Sequence, residues 1–194
     1  KNKEDGVELK NVDSFIVLLT AGTDFARDRS KSWRTKHPHR RLNKTLAKAS
    51  KLGYAKLLQQ HKKDYQSLFK RMSLDLGESA VTTKAMPTNK RIAAYHKGNY
   101  DPDLEELLYH YARYLMISSS RANSLIPSTL QGVWNDSLVP PWNSDLHVDV
   151  NIQMNYSFVD QANLSDCFNP FHQWIESIRE VRKEITAKEL KIKR

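Results

Sequence analysis

The sequence has a single cysteine, Cys167, among its 194 residues. One thiol cannot form an internal disulfide framework, and it excludes a zinc site built from cysteines. The sequence neighbours of Cys167 include no obvious activating base, and lone thiols are usually buried as small apolar side chains. We therefore predict that Cys167 is buried and has no chemical role.

Long apolar runs are also missing. The longest candidate is Phe15–Leu19, which has the length of a strand, whereas a membrane-spanning helix needs roughly 18 consecutive apolar residues. The hydrophobic content of 39% is nevertheless enough to form a core. The sequence therefore predicts a core-forming protein with no membrane partner.

Acidic residues are scarce between positions 27 and 71. This stretch holds fifteen Lys or Arg but only Asp28 and Asp64, a balance of +13, whereas the whole chain has a formal net charge of +9. A basic segment of this kind could bind phosphates or another anionic surface. It lacks the repeated aromatic side chains of single-strand binders and any zinc-finger spacing. We therefore favour a solvated basic surface over a nucleic-acid site, and predict no nucleic-acid partner.

Periodicity predicts a β-to-α organisation in the first half. Short strands are expected at Val7–Leu9 and Ser14–Thr20, as the last edge of a β domain, because two strands alone do not form a stable sheet. A polar connection follows, and Thr45–Met72 has the three- and four-residue spacing of a helix that Gly53 breaks or bends. We also expect a short strand at Ser73–Leu76 and then a loop to Gly98.

The second half has helical patterns on both sides of a long loop. The acidic opening turn at Asp101–Asp103, with Pro102 inside it, is typical of a helix N-terminus. A loop is expected from Ala122 to about Leu146, followed by helices at Asn151–Ala162 and Phe171–Leu190.

Residues 130–156 combine aromatic rings with many amide, carboxyl and imidazole groups. A sugar ring needs an aromatic surface beneath its C–H face and directional hydrogen bonds around its rim, so this mixture is typical of a sugar site. A buried polar network that ties the loop to helix ends explains the composition equally well. Two weaker alternatives are a strand over His147–Gln153, from its period-2 alternation, and a metal site at His147 and Asp149.

Five stretches have an order and spacing that match a known family: Tyr114–Arg121, Leu130–Asp136, Pro140–Trp142, Asn151–Tyr156 and Asn163–Ser165. On these stretches the chain resembles the inverting α-L-fucosidases of glycoside hydrolase family 95. The resemblance implies a mainly α chain that holds the first helices of an (α/α)6 barrel, preceded by a helical linker and the terminal strands of a β-sandwich. The implied domains are the end of the sandwich at 1–26, a basic linker at 27–100 and the start of the catalytic barrel at 101–194.

The family motif His-x-Asn-x-Asn falls on His147, Asp149 and Asn151. The resemblance implies that His147 contacts the fucose and that Asn151 positions the attacking water, and we take Asn151 and Asp149 as the catalytic candidates. From their chemistry we add four further substrate-binding candidates: Gln131, Trp134, Asn135 and Trp142. No metal or cofactor is expected.

The rest of the implied reaction lies outside the chain. In the family, a distant Asp polarises the Asn and a separate Glu protonates the leaving oxygen, and the resemblance places both after Arg194. Inversion needs two groups about 6.5–9.5 Å apart, on either side of the bond. The implied full-length protein is a secreted or periplasmic enzyme that removes terminal α-L-fucosyl residues from oligosaccharides or polysaccharides, whereas the isolated chain would be inactive.

Three positions depart from the family pattern. Asp149 replaces an Asn, Ser157 stands where a Trp usually follows Asn-Tyr, and Leu190–Arg194 abandons the pattern, as expected of a truncated reading frame. Two alternatives therefore stay open: a catalytically incomplete or vestigial carbohydrate-binding protein, and a related α-L-galactosidase.

Asp149 generates a testable prediction. A carboxylate is anionic and accepts a proton far better than an amide, so Asp149 could share the base role or alter sugar preference. Because a positioned acid or base contributes on the order of 10²–10⁴-fold to a rate, Asp149→Asn in a full-length protein should substantially change the turnover of an aryl α-L-fucoside. An unchanged rate would exclude both roles.

Overall fold

The computed structural model describes residues 2, 3 and 6–191, and this part of the chain is mainly helical, as predicted. It divides into two compact units, residues 1–63 and 64–194. The only paired strands in the described part are short. The elements are β1 Asn2–Lys3, β2 Gly6–Val7, α1 His39–Leu52, α2 Tyr54–Phe69, α3 Val81–Lys84, α4 Thr88–Tyr95, α5 Pro102–Ser119, α6 Asn151–Tyr156 and α7 Asn169–Glu189.

The first unit contains much less strand than predicted. Strands β1 and β2 form a two-stranded antiparallel pair, but no residue from 8 to 24 is in a strand. The predicted strand at Ser14–Thr20 is therefore wrong, and of Val7–Leu9 only Val7 lies in one. Without a partner strand the backbone groups of this segment cannot form a ladder, and apolar side chains such as Phe15 and Leu19 stay exposed.

Helix α1 begins at His39, earlier than the predicted Thr45. Gly53 separates it from α2 with φ of +74°, so the predicted helix break is confirmed. That left-handed conformation costs glycine little, whereas a residue with a Cβ would be strained there. The apolar residues of α1, Leu42, Leu46 and Ala49, lie on one face and are half-buried.

The apolar core lies in the second unit. Its buried side chains come from the end of α2, the end of α5, α6, the turns after α6 and the start of α7. They are Leu68, Met116, Ile117, Ile152, Tyr156, Val159, Ala162, Leu164, Cys167 and Phe171. The prediction of a buried Cys167 is confirmed, and burial raises the pKa of its thiol to about 11.

Arg113 joins α5 to the end of α2 inside this core. Its guanidinium is fully buried and donates to the carbonyl oxygens of Leu68, at 3.3 Å, and Met72, at 3.0 Å. The same group lies 5.0 Å from the ring centre of Phe69. Carbonyls at a helix C-terminus lack partners within the helix, and Arg113 adds hydrogen bonds there, although the Leu68 carbonyl also accepts from Arg71 N at 3.2 Å.

Asp101 caps α5, and the predicted helix start is confirmed. Its carboxylate accepts from Leu104 N at 3.2 Å, from Ser79 Oγ at 2.5 Å, and from Arg91 Nε and Nη2 at 2.9 and 2.6 Å. The side chain is only 1% exposed. The Arg91 guanidinium and the other donors hold the pKa of Asp101 at about 2.

Residues 73–98 differ from the prediction. No strand forms at Ser73–Leu76, because Leu76 N donates to Glu106 Oε1 of α5 rather than to a neighbouring strand. The expected loop to Gly98 contains the short helices α3 and α4. Their sequence lacks a strong apolar stripe, and tertiary bonds to Asp101 from Ser79 and Arg91 fix this region.

The chain after the long loop is helical, but the bounds of its helices differ from those predicted. Helix α6 ends at Tyr156 rather than at Ala162, and turns and a 3-10 segment at Ser165–Phe168 follow it. A strand at His147–Gln153 is excluded, because the backbone makes a turn there and then enters α6. Helix α7 begins two residues before the predicted Phe171. The predicted departure at Leu190–Arg194 lies partly outside the described residues.

The hydroxyl of Tyr156 is the centre of a buried hydrogen-bond chain. Ser120 Oγ donates to the Cys167 carbonyl at 2.7 Å, so its only hydrogen is used. In the 2.6 Å contact between Ser120 Oγ and Tyr156 Oη, the tyrosine must therefore be the donor. Tyr156 Oη also accepts from Ser128 N at 2.8 Å. These hydrogen bonds thus join the end of α5, the long loop, α6 and the 3-10 segment.

None of the helices that the structure describes is both long enough and apolar enough to span a membrane.

Tyr156→Phe tests the hydrogen-bond chain. The ring would keep its packing, but Ser128 N and Ser120 Oγ would each lose a buried partner. We expect the free energy of unfolding to fall by about 1–3 kcal/mol, measured by chemical denaturation. Tyr100→Phe is the matched control, because Tyr100 is 74% exposed and its substitution should change stability by less than about 0.5 kcal/mol. Equal effects of the two substitutions would contradict the assignment.

Asp101 generates a pH prediction. Its folded-state pKa of about 2 lies below the ordinary value of 3.8, so its stabilising effect is complete above 3.8 and is lost as the pH falls towards 2. Asp101→Asn should therefore be less stable than the native protein at pH 6, and this difference should shrink between pH 4 and pH 2. Denaturation midpoints across that range measure it.

The control for this prediction is Asp160→Asn, because Asp160 is exposed and no side-chain bond of its carboxylate to a described residue is seen. A difference between the native protein and Asp101→Asn that stayed constant with pH would show that the Asp101 carboxylate does not titrate as the geometry requires.

Candidate functional site

The loop between α5 and α6 is bonded to α6 near its start, and its two ends are bonded to each other. Asn155 Nδ2 of α6 donates to the carbonyl of Thr129 at 2.9 Å. On the other side, Leu130 N donates to the Asp145 carbonyl at 3.2 Å, and Thr129 Oγ1 lies 2.9 Å from Ser144 Oγ. The predicted polar network is therefore present, and it sets the position of residues 130–145.

A tight turn places Trp134. Gly132 has φ of +68°, and a Cβ built on it would lie 2.7 Å from Trp134 Cε3. The indole therefore packs directly over the backbone of Gly132, where no other residue leaves space for it. On its other side the ring lies 6.5 Å from the ring centre of Tyr114 on α5. The Gln-Gly-Val-Trp order thus fixes an aromatic surface next to the helix.

Trp134 and Gln131 line a hollow of about 450 Å³ in the second unit. This volume lies within the range of roughly 300–1,000 Å³ found for small-molecule sites. The opposite wall comes from α5 and α6 and combines apolar and amide groups. The lining residues opposite the loop include Leu115, Met116, Met154, Asn155 and Phe158.

Gln131 is a polar residue of this hollow with unused hydrogen-bonding capacity. Its Nε2 donates to the Pro141 carbonyl at 3.4 Å, but its Oε1 is buried and has no hydrogen-bond partner in the described part of the chain. A buried acceptor without a partner costs free energy, and a ligand hydroxyl could supply the missing donor.

A second hollow, of about 650 Å³, lies beside the outer part of the loop. Gln131 and Trp134 line it together with Asn135, Asp136 and Pro141. The amide of Asn135 is already bonded within the loop, because its Oδ1 accepts from Ser137 N at 3.1 Å and its Nδ2 donates to the Ser137 carbonyl at 3.0 Å. Asn135 therefore shapes this hollow, and beyond these two bonds its amide has one N–H and one carbonyl lone pair left.

Trp142 lines neither of these two hollows. It lies in the 3-10 segment Pro141–Ser144, where Trp142, Asn143 and Ser144 all have φ between 48° and 54°. Three consecutive non-glycine residues in the left-handed conformation are energetically unfavourable. The hydrogen bonds around this turn must therefore hold it in place. The Trp142 side chain points outwards and is 71% exposed.

His147, Asp149 and Asn151 lie together on the turn that leads into α6, outside both hollows. His147 Nδ1 is 3.4 Å from Asp145 Oδ1, and the His147 carbonyl accepts from Ile152 N at 3.1 Å. Asp149 and Asn151 are exposed, and Asn151 is the first residue of α6. The structure therefore groups the predicted residues into two sets, the loop set at 131–135 and the turn set at 147–151.

Three residues that line the first hollow or lie near Trp134 were not predicted from the sequence: Met154 and Phe158 line the hollow, and Tyr114 lies near the Trp134 ring. Met154 lies in α6, and Phe158 follows it. The alternation of polar and apolar residues around Met154 suggested a strand. The sequence therefore did not show that Met154 lies on a helix that faces the loop.

Within the described ranges, no group of three or more His, Cys, Asp or Glu side chains could hold a metal ion.

Comparison with known proteins gives a consistent result. The family model for the "Glycosyl hydrolase family 95 catalytic domain" matches residues 53–193. The chain is 32% identical to alpha-L-fucosidase 2 of Arabidopsis thaliana over 176 residues, which cover 89% of this chain and 21% of that protein. It is 38% identical to the probable alpha-fucosidase A of Aspergillus niger over 139 residues, 72% of this chain and 17% of that protein.

A third relative is the probable alpha-fucosidase A of Aspergillus oryzae, with 35% identity over 167 residues, 82% of this chain and 23% of that protein. The chain thus spans about a fifth of the length of these relatives. Because the family model covers most of the chain, including both sets of site residues, the chain belongs to glycosyl hydrolase family 95.

Proposed function

We propose that this chain is part of a glycoside hydrolase that removes terminal α-L-fucosyl residues, and that residues 131–156 form one wall of its sugar site. The observation that carries the proposal is the hollow that Trp134 and Gln131 line together, with Gln131 Oε1 lacking a hydrogen-bond partner among the described residues. An aromatic ring can cover the apolar face of a deoxyhexose while an amide oxygen accepts from a ring hydroxyl. The names of the three relatives agree with this substrate.

The turn set supplies the proposed catalytic residues. His147 would contact the sugar, Asn151 would position the attacking water, and Asp149 would share the base role. An amide is a weak base, and neither hollow is lined by two carboxylates that could lie on either side of a bond. The proposal therefore includes an acid and an activating carboxylate from elsewhere in a longer protein, and an inverting reaction.

Exposed apolar side chains support a longer protein. Val148, Val150 and Met154 lie beside the turn set and are 45%, 54% and 62% exposed. Apolar groups clustered around polar site residues are typical of a surface that other structure covers. We propose that the remaining helices of an (α/α)6 barrel cover this turn and bring it to the sugar, and that strands outside the chain complete the β-sandwich. A secreted or periplasmic location is part of the same proposal.

A carbohydrate-binding protein without catalysis is the second candidate. It is favoured by the lining of the larger hollow, in which Asp136 is the single carboxylate. Fucose binding without hydrolysis would identify this function, whereas faster hydrolysis of an α-L-galactoside than of an α-L-fucoside would identify the related galactosidase.

Trp134→Ala in a full-length protein tests the proposed wall. Loss of the aromatic surface should raise KM for 4-nitrophenyl α-L-fucoside by about tenfold, since aromatic contacts are worth roughly 0.5–1.5 kcal/mol beyond the area they bury. Trp134→Phe should restore most of the affinity, because the smaller ring can still pack over Gly132. Steady-state kinetics measure both variants.

Leu138→Ala is the matched control, because Leu138 lies in the same loop, is fully exposed and lines neither hollow. Its kinetics should equal those of the native protein. Unchanged KM in Trp134→Ala, or equal losses in Trp134→Ala and Leu138→Ala, would contradict the proposed wall. Quenching of tryptophan fluorescence by L-fucose provides a binding measurement that does not require catalysis.

A further inference from the structure

Helix α1 of the first unit carries a continuous basic face. At 100° per residue, Arg40, Lys44, Lys48 and Lys51 fall within an arc of about 80°, and Arg41 extends it to about 100°. All five side chains are exposed, whereas Leu42, Leu46 and Ala49 on the opposite side are half-buried. The basic face, defined by these five residues, therefore points away from the apolar side of its own helix.

No described acidic group neutralises the basic face. The sequence has no Asp or Glu between Arg29 and Lys63, and none of the five side chains forms an ion pair with a residue that the structure describes. Two basic residues that precede α1 in the same unit are paired, since Arg34 binds Asp24 and Lys31 binds Asp28. Helix α1 thus carries five exposed basic side chains without an acidic partner among the described residues.

This arrangement works against the helix itself. Its first turn contains Arg40 and Arg41 and no acidic residue, although the N-terminus is the positive end of the helix dipole. Arg40, Lys44 and Lys48 follow one another at one-turn spacing, where like charges repel. The cap residue Pro38 supplies no side-chain hydrogen bond. All three features lower the stability of α1. They therefore indicate that an external anion stabilises the basic face.

We propose that the basic face of α1 binds an anionic polysaccharide, a chain with repeated carboxylate or sulfate groups. The face extends about 17 Å from Arg40 to Lys51, at 1.5 Å per residue, so it fits repeated charges along a linear polymer better than a single small ion. The face carries no aromatic side chain on which bases could stack, which favours a polysaccharide over a single-stranded nucleic acid. The inference rests on the proposed function for one point, that the bound polymer carries the fucosyl substrate.

The test uses the full-length protein and a variant in which Arg40, Lys44, Lys48 and Lys51 are all replaced by Gln. Glutamine keeps helix propensity and removes the charge. Polygalacturonate and heparin serve as carboxylated and sulfated probes, and dextran as the neutral one. At about 50 mM salt the native protein should bind at least one anionic probe, with affinity falling steeply as salt rises, and the variant should bind at least about tenfold more weakly.

The matched control replaces four exposed basic residues outside the face: Lys70, Lys90, Lys97 and Lys188. It has the same net charge as the first variant, so equal binding losses would reveal general attraction and overturn the proposal. Binding of dextran as tight as that of the anionic probes, or absence of binding to both anionic probes, would also overturn it. Tighter binding of a DNA duplex of equal charge would replace the proposed ligand by a nucleic acid.

Hydrolysis separates this inference from the proposed function. The face variant should cleave 4-nitrophenyl α-L-fucoside at the native rate, which also shows that it is folded, but should have a raised KM for a fucosylated anionic polysaccharide. The double variant Lys44→Gln/Lys48→Gln should give an intermediate KM. If the native protein cleaves no fucoside but the binding results hold, the proposed function fails and the polysaccharide-binding face remains. Equal KM values for native and variant proteins on the polymer would contradict the role of the face in capturing substrate.

Discussion

The hydrogen-bond chain through Tyr156 is the constraint on which the second unit depends. It runs from Ser128 N to the Tyr156 hydroxyl, to Ser120 Oγ and to the Cys167 carbonyl, and all four groups are buried. Each member is a donor to the next, so removal of one leaves at least one other unpaired in a region of low dielectric constant. Burial raises the pKa of the Tyr156 hydroxyl, the direction that favours its protonated, donating form. The aromatic ring meanwhile stacks on Phe171, so one residue links the polar and apolar parts of the core.

The hydrogen bonds through Tyr156 explain how a loop of some thirty residues can present a defined surface. Tyr156 and Asn155 fix the loop at residues 128 and 129, and Gly132 then lets Trp134 pack against its own backbone. The two interpretations of the polar segment are therefore not exclusive. Some of its polar groups form a structural network, and that network leaves Gln131 and Trp134 directed into the hollow that we propose as part of a sugar site.

Helices α1 and α5 show opposite uses of charge. Helix α5 has the capping carboxylate of Asp101 and the acidic residues Asp103 and Glu105 in its first turn, all favourable at the positive end of the dipole. Helix α1 has Arg40 and Arg41 in the same positions. Helix α5 is stabilised by its own sequence, whereas helix α1 keeps a surface charge that reduces its stability. This contrast is the physical basis of the proposed polysaccharide-binding face.

The helical class, the cap at Asp101 and the break at Gly53 could be predicted from the sequence, because they depend on local periodicity and backbone freedom. The family could be predicted because its motifs occur in order along the chain, and the burial of Cys167 because a lone thiol is usually an apolar core residue. Tertiary structure decided the rest. Ser14–Thr20 has strand composition but no partner strand, and His147–Gln153 alternates like a strand yet enters α6. Helices α3 and α4 form without a strong apolar stripe. Tertiary structure also separates the two sets of site residues. Sequence proximity placed Trp134 and Asn151 in one segment, but the turns at Gly132 and Trp142, and the bonds that hold them, set where each side chain points.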